Sequence, residues 1–140
     1  MSLLSQQNVI DLYLVASAHA GLSAEESMGQ FLRFEAEAEK AAAEQTRALR
    51  SRRVSQKMVE HLNIIADLAP SIGATDLETA CLEALETRGR TKDVPTLIAQ
   101  GVIFSNTLER TRLAASIIFD LCDAMGKAPN GKTLQSSLTD

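Results

Sequence analysis

The chain has no tryptophan, one tyrosine and four phenylalanines in 140 residues. Any sizeable core must therefore be built from Leu, Ile, Val, Ala and Met. Three prolines and seven glycines are also few. They fall mostly between periodic segments, which argues for helices. The two cysteines, Cys81 and Cys122, lie far apart and make no disulfide framework; both sit in apolar helical stripes and are expected as buried, reduced thiols. A positive surplus is missing as well. The formal net charge is −4, which disfavours broad nucleic-acid binding. No run approaches about 18 uninterrupted apolar residues, so no membrane span is expected. The opening MSLLSQQ lacks the basic region and cleavage pattern of a secretory signal, and a cytoplasmic setting is expected.

Catalytic signatures are equally scarce. Two His and two Cys without CxxC or HxxxH spacing make a poor zinc set. Glu35, Glu37 and Glu39 do not all share a helix face, and no Glu-x-x-His run accompanies them, which argues against a di-iron bundle. There is no glycine-rich phosphate loop, and no Ser, Thr or Cys has a recognisable motif around it. No enzyme activity, cofactor or metal is expected.

What the chain does have is amphipathic helix. At 45% hydrophobic and 23% charged it has the balance of one globular domain. The organising stretch is 57–88. Val54, Met58, His61/Leu62, Ile65 and Leu68/Ala69 recur at the three- and four-residue spacing of one helical face, and Ile64 widens the stripe. Pro70 ends this helix near Ala69, and Gly73 suits a tight turn. Thr75 and Glu78 read as a capping box. Leu77, Cys81, Ala84/Leu85 and Arg88 form the next stripe, with Gly89 as a stop. A connection of about five residues makes the pair an antiparallel hairpin.

The remaining segments pack around it. Residues 5–20 form a first helix, with Ser5 or Asn8 as cap and Gly21 as its end. Its apolar residues cover more than one face, so it is either well buried or used against another chain. Ser23 with Glu26 is a capping box opening a helix to about Arg50, whose middle, EAEAEKAAAEQ, suits a solvated outer helix with Ala38, Ala41 and Ala42 allowing close packing on one side. Whether residues 24–69 form one helix or two stays open. Asp93 caps a last helix, with Pro95 in its first turn. Its stripe is Val94, Leu97/Ile98, Gly101/Val102, Ser105, Leu108, Ala115, Ile118/Phe119 and Cys122. Leu113, Ile117 and Leu121 form a second stripe, which points either to a homodimer or to the first and last helices burying each other within one chain. The expected fold is all-α: five helices, four in an antiparallel bundle around the central hairpin. Residues 1–126 make the domain and 127–140 a polar, disordered tail.

The basic cluster Arg47, Arg50, Arg52, Arg53 and Lys57 reads either as a patch for phosphate or an acidic partner, or as a solvated helix end where cations suit the terminal carbonyls.

The hairpin resembles the centre of the histidine phosphotransfer (HPt) domain, the small helical bundle of two-component phosphorelays. Ile72-Gly73-Ala74, Leu77, Cys81 and Leu85-Glu86 fall on that family's turn and following helix, and the similarity extends over 54–114. The family carries its phosphoaccepting His in a His-x-x-Lys-Gly run ten residues before this glycine. Here Asn63 stands at that position, with Ala66 and Asp67 in place of Lys and Gly. Asn has no nucleophilic nitrogen, Ala removes the cation, and Asp67 would repel a phosphate. His61 lies about 200° around the helix from Asn63 and is expected as a satisfied, partly buried histidine; His19 reads as a helix-end cation. The resemblance implies a non-catalytic, HPt-like module that docks a receiver-type regulator through Asn63, Ala66, Asp67, Arg52 and Arg53. Two alternatives remain: a phosphocarrier using His61, and a dimeric structural or accessory protein of phage or plasmid type.

Overall fold

A computed structural model describes residues 9–53 and 55–135. The fold is all-α, and the described residues form five α-helices: α1 Leu12–Ala18, α2 Ala24–Ser51, α3 Lys57–Leu68, α4 Thr75–Arg90 and α5 Val94–Met125. Helices α2 to α5 form a closed bundle in which each contacts its neighbour in sequence and α2 meets α5. Short connections make successive helices antiparallel.

Helix α3 turns on its apolar stripe. Met58, Leu62, Ile65 and Leu68 are buried, whereas Asn63 and Asp67 are exposed. Val54, the first residue expected in this stripe, lies outside the described residues. Pro70 ends the α-helix, but the chain tightens into a 3-10 turn, Ala69–Ile72, before Gly73 takes φ 69°. Across the turn, Leu77, Cys81 and Ala84 bury the facing stripe of α4.

Several boundaries differ from expectation. The Thr75/Glu78 capping box does not form: the cap is Ala74, with no side-chain bond. Ala74 is fully buried, and its amide donates to Ala69 O at 2.9 Å. Core packing thus starts the helix one residue early, with Thr75 already inside it. Gly89 does not stop α4, which runs to Arg90; the Thr91 amide still bonds to Thr87 O there. The helix expected over 5–20 is not continuous: residues 9–11 are non-helical and α1 spans only Leu12–Ala18. Asp11 caps it, accepting from the amides of Tyr13 and Leu14, and the Asp11 amide itself donates to Gly73 O at 2.8 Å. Ser5 and Asn8 lie outside the described residues. The Ser23/Glu26 box forms as expected, as does the Asp93 cap with Pro95 in the first turn.

Residues 24–69 are two helices, broken where Arg52 adopts φ 52°. The Ala-rich middle of α2 packs one side inward, as expected, with Ala38 and Ala41 fully buried; Glu44 and Gln45 at its end are buried as well. On α5 the largest core residue is Phe104, which the expected stripe passed over for Ser105. Val94 and Val102, expected inside, are exposed. Arg112 on α5 grips Glu35 on α2 through two hydrogen bonds, 3.2 and 2.6 Å, tying the first and last bundle helices together.

Residues 127–135 depart from the expectation of a disordered tail. Ala128 and Leu134 are buried against Ala24 and Met28. Asn130 and Lys132 donate to backbone carbonyls of His19, Ala20 and Leu22. Residues 136–140 lie outside the described residues.

Candidate functional site

Residues Asn63, Ala66 and Asp67 are spaced i, i+3, i+4 and so share one face of α3. Asn63 and Asp67 are exposed and Ala66 is half-buried. The Asn63 amide is not held out to solvent: its Nδ2 donates to Val59 O, 3.0 Å away on the preceding turn. Val59, four residues before Asn63, continues the same stripe toward the opposite end of the helix. There it lines a cleft of about 660 Å3 together with Arg52, Arg53 and Gln56. Val59 thus belongs both to the cleft that Arg52 and Arg53 line and to the helix face of Asn63 and Asp67, although Arg52 and Arg53 stand before the start of α3 and Asp67 near its end.

The end of the bundle that carries this cleft is strongly basic. Segments 47–57 and 88–92 hold eight of the chain's 14 Lys and Arg and no Asp or Glu. Two of the cleft's cations, Arg88 and Lys92, come from the α4–α5 side. Sequence reading placed Arg88 on the apolar stripe and did not connect it with Arg52 and Arg53, because that connection exists only once the hairpin has folded. Arg88 is half-buried and donates through Nη1 to Ser55 O at 3.1 Å. Burial holds its guanidinium below the ordinary arginine range.

Beside the cleft, Glu44 is buried and accepts from Arg47 Nη1 at 2.6 Å. A hydrogen bond from the Ser55 side chain, opposed by burial and helped by the charges of Arg47, Lys57 and His61, keeps its carboxyl below the usual carboxylate range. His61 is half-buried, as expected, but it is not satisfied: Nδ1 is buried and has no hydrogen-bond partner. His19 is corrected outright. It is not a solvated helix-end cation but a buried ring, whose Nδ1 lies 2.7 Å from the Ser27 hydroxyl. Its Nε2 lies 2.5 Å from Ser71 O, so Nε2 carries a proton and donates it to that carbonyl. The ring thus fastens α1 to α2 and to the 3-10 turn. No sequence signal separates such a histidine from an exposed one, because both partners are remote or backbone.

Cys81 is buried and Cys122 half-buried. Burial, assisted by Glu78, pushes Cys81 up to about 12, and burial also raises Cys122; a reactive thiol needs the opposite shift. Comparison with known protein families, with characterised proteins and with solved structures returned no match to this chain.

Proposed function

We propose that the chain is a non-catalytic, HPt-like interaction module that docks a regulatory protein partner, of receiver type or similar, along α3. The observation that carries the reading is the face of α3 that runs from Val59, which lines the basic cleft with Arg52 and Arg53, to the exposed Asn63 and Asp67 and the half-buried Ala66. Asn63 supports a docking role rather than phosphoryl transfer. Its amide is bonded back onto its own helix, and an amide nitrogen is not a nucleophile. Asp67, one turn on, adds a negative charge where a transferred phosphoryl group would need a cation.

The test is a label-transfer experiment joined to a binding map. A phosphorylated receiver domain mixed with the protein should keep its label. In amide spectra, shifts on adding the receiver should cluster at Arg52, Arg53, Asn63, Ala66 and Asp67. Acid-labile, base-stable label on His61, absent in His61→Gln, would replace this reading with the phosphocarrier.

A second reading is compatible with the first and rests on the apolar side of α5. Leu113, Ile117, Leu121 and Met125 are 65%, 51%, 57% and 70% exposed, and Leu12, Tyr13 and Leu14 on α1 are exposed as well. Such stripes are unusual on a monomer. Antiparallel pairing of two α5 helices about Ile117 sets each Leu113 against the other copy's Leu121, a self-matching contact of the two-fold type. We therefore propose a homodimer. Light scattering at tens of micromolar should give about twice the 15.1 kDa chain mass. Ile117→Glu should return it to the chain mass with helical circular dichroism intact. A wild-type mass of one chain would remove the dimer.

A further inference from the structure

The cleft at the basic end has a composition that a solvated helix end does not require. Its volume, about 660 Å3, falls in the range of about 300–1,000 Å3 usual for small-molecule sites. Arg52, Arg53, Arg88 and Lys92 line it, and no Asp or Glu does. Among the described residues none of these four cations forms an ion pair. The apolar side chains of Val59, Leu85, Val94 and Leu97 also line it and supply an apolar wall component.

Arg88 is the second, independent sign. A guanidinium has five N–H donors, and the hydrogen bond recorded for this one goes to Ser55 O. Desolvating a cation is unfavourable unless an anion compensates it, and burial lowers the Arg88 pKa with no carboxylate to restore it. The left-handed turn at Arg52, which ends α2, leaves Arg52 and Arg53 lining the same cavity.

We propose that this cleft binds a small organic phosphate with two or more negative charges and an apolar or aromatic body, a molecule of nucleoside diphosphate size. Its phosphates meet Arg52, Arg53 and Arg88, whose planar forks match phosphate oxygens in pairs, and Lys92 adds a point charge. Its body lies on the apolar wall. Cations and wall share one concave volume, which suits a compact ligand better than an extended acidic peptide. The proposal does not rest on docking along α3, and its test uses no protein partner.

Isothermal titration of the full chain with ADP, pyrophosphate, adenosine and poly-glutamate provides the test. ADP should bind saturably and most tightly, pyrophosphate more weakly and adenosine weakest. The ADP affinity should fall as salt rises, because the contacts are to charge. Arg88→Met keeps most of the buried stem and should weaken ADP at least about tenfold, that is about 1.4 kcal/mol. Because Arg88 also bonds Ser55, the exposed-rim variant Arg53→Gln/Lys92→Gln serves as a second probe and should show a loss of the same order. Arg110→Gln, on the far part of α5, should bind like wild type. Amide shifts on adding ADP should centre on Val59, Leu85, Val94 and Leu97. No ADP binding at millimolar concentration, a different order of affinities, shifts centred elsewhere, or wild-type affinity in both cleft variants would overturn the proposal. Tight binding of poly-glutamate without ADP binding would transfer the cleft to an acidic peptide and overturn it too.

Discussion

Ile65→Ala should lower the unfolding free energy by about 2–5 kcal/mol, the range for truncating a large aliphatic side chain in a packed core. Ile65 is fully buried in the middle of α3, in the same core cluster as Leu62, Phe34 and Phe104. A void there cannot be closed by moving α3 alone, because α2 and α4 both pack against that helix. Two residues away, Asn63→Ala should change stability by no more than about 0.5 kcal/mol, as is usual for an exposed site. The lost bond to Val59 O is offset by the higher helix propensity of alanine. Urea unfolding of both variants measures the contrast. Equal losses would mean that α3 is rotated about its axis relative to the structure described above.

Gly73→Ala should cost nearly as much, about 2–5 kcal/mol, for two separable reasons. Gly73 sits at φ 69°, a left-handed conformation that costs an L residue about 1–2 kcal/mol. A Cβ there would also meet the Asp11 carbonyl oxygen and press on Val15 Cγ2 at 3.0 Å, and overpacking of that kind adds about 1–3 kcal/mol. Gly131→Ala separates the two contributions. Gly131 has φ 86° but open space around it, so it should show the conformational cost alone. If the two alanine variants lose equal stability, the contact between Asp11 and the turn contributes nothing. If Gly73→Ala loses more, hydrogen exchange at the Asp11 amide, which bonds Gly73 O, should rise with it.

These two sites also mark how far sequence reading reaches. The α3 stripe, the Gly73 turn, the Ser23/Glu26 box and the Asp93 cap are local: each depends on residues within a few positions, and each was legible. The errors occur where a distant part of the chain decides. Asp11 rather than Ser5 or Asn8 caps α1 because the segment before α1 is fixed to Gly73, some 60 residues away. Thr75 lost its capping role to a buried Ala74. Phe104 was missed because the stripe was followed by spacing through Gly101/Val102 to Ser105, although a phenylalanine one residue earlier gains more from burial. Residues 127–135 look polar as a string, yet Ala128 and Leu134 pack on α2 and the side chains of Asn130 and Lys132 bond the connection between α1 and α2. At the candidate site, Arg52 and Arg53 were visible as a run of cations. Arg88 and Lys92 were not seen as their companions, because only the antiparallel return of α4 brings them there.

The concentration of cations at one end has a consequence for how the molecule meets anything charged. All 18 acids and only six of the cations lie outside segments 47–57 and 88–92, so positive charge is concentrated at one end of a chain that is acidic elsewhere. An approaching polyanion exerts a torque that turns the basic end toward it before contact, while the acidic flanks are turned away. At physiological ionic strength the field extends about 8 Å, so the reorientation takes place within the last few layers of water and fades as salt is added. The net charge of −4 conceals this behaviour. A positively charged chromatographic resin should hold the molecule by its flanks, leaving the basic end free in the mobile phase.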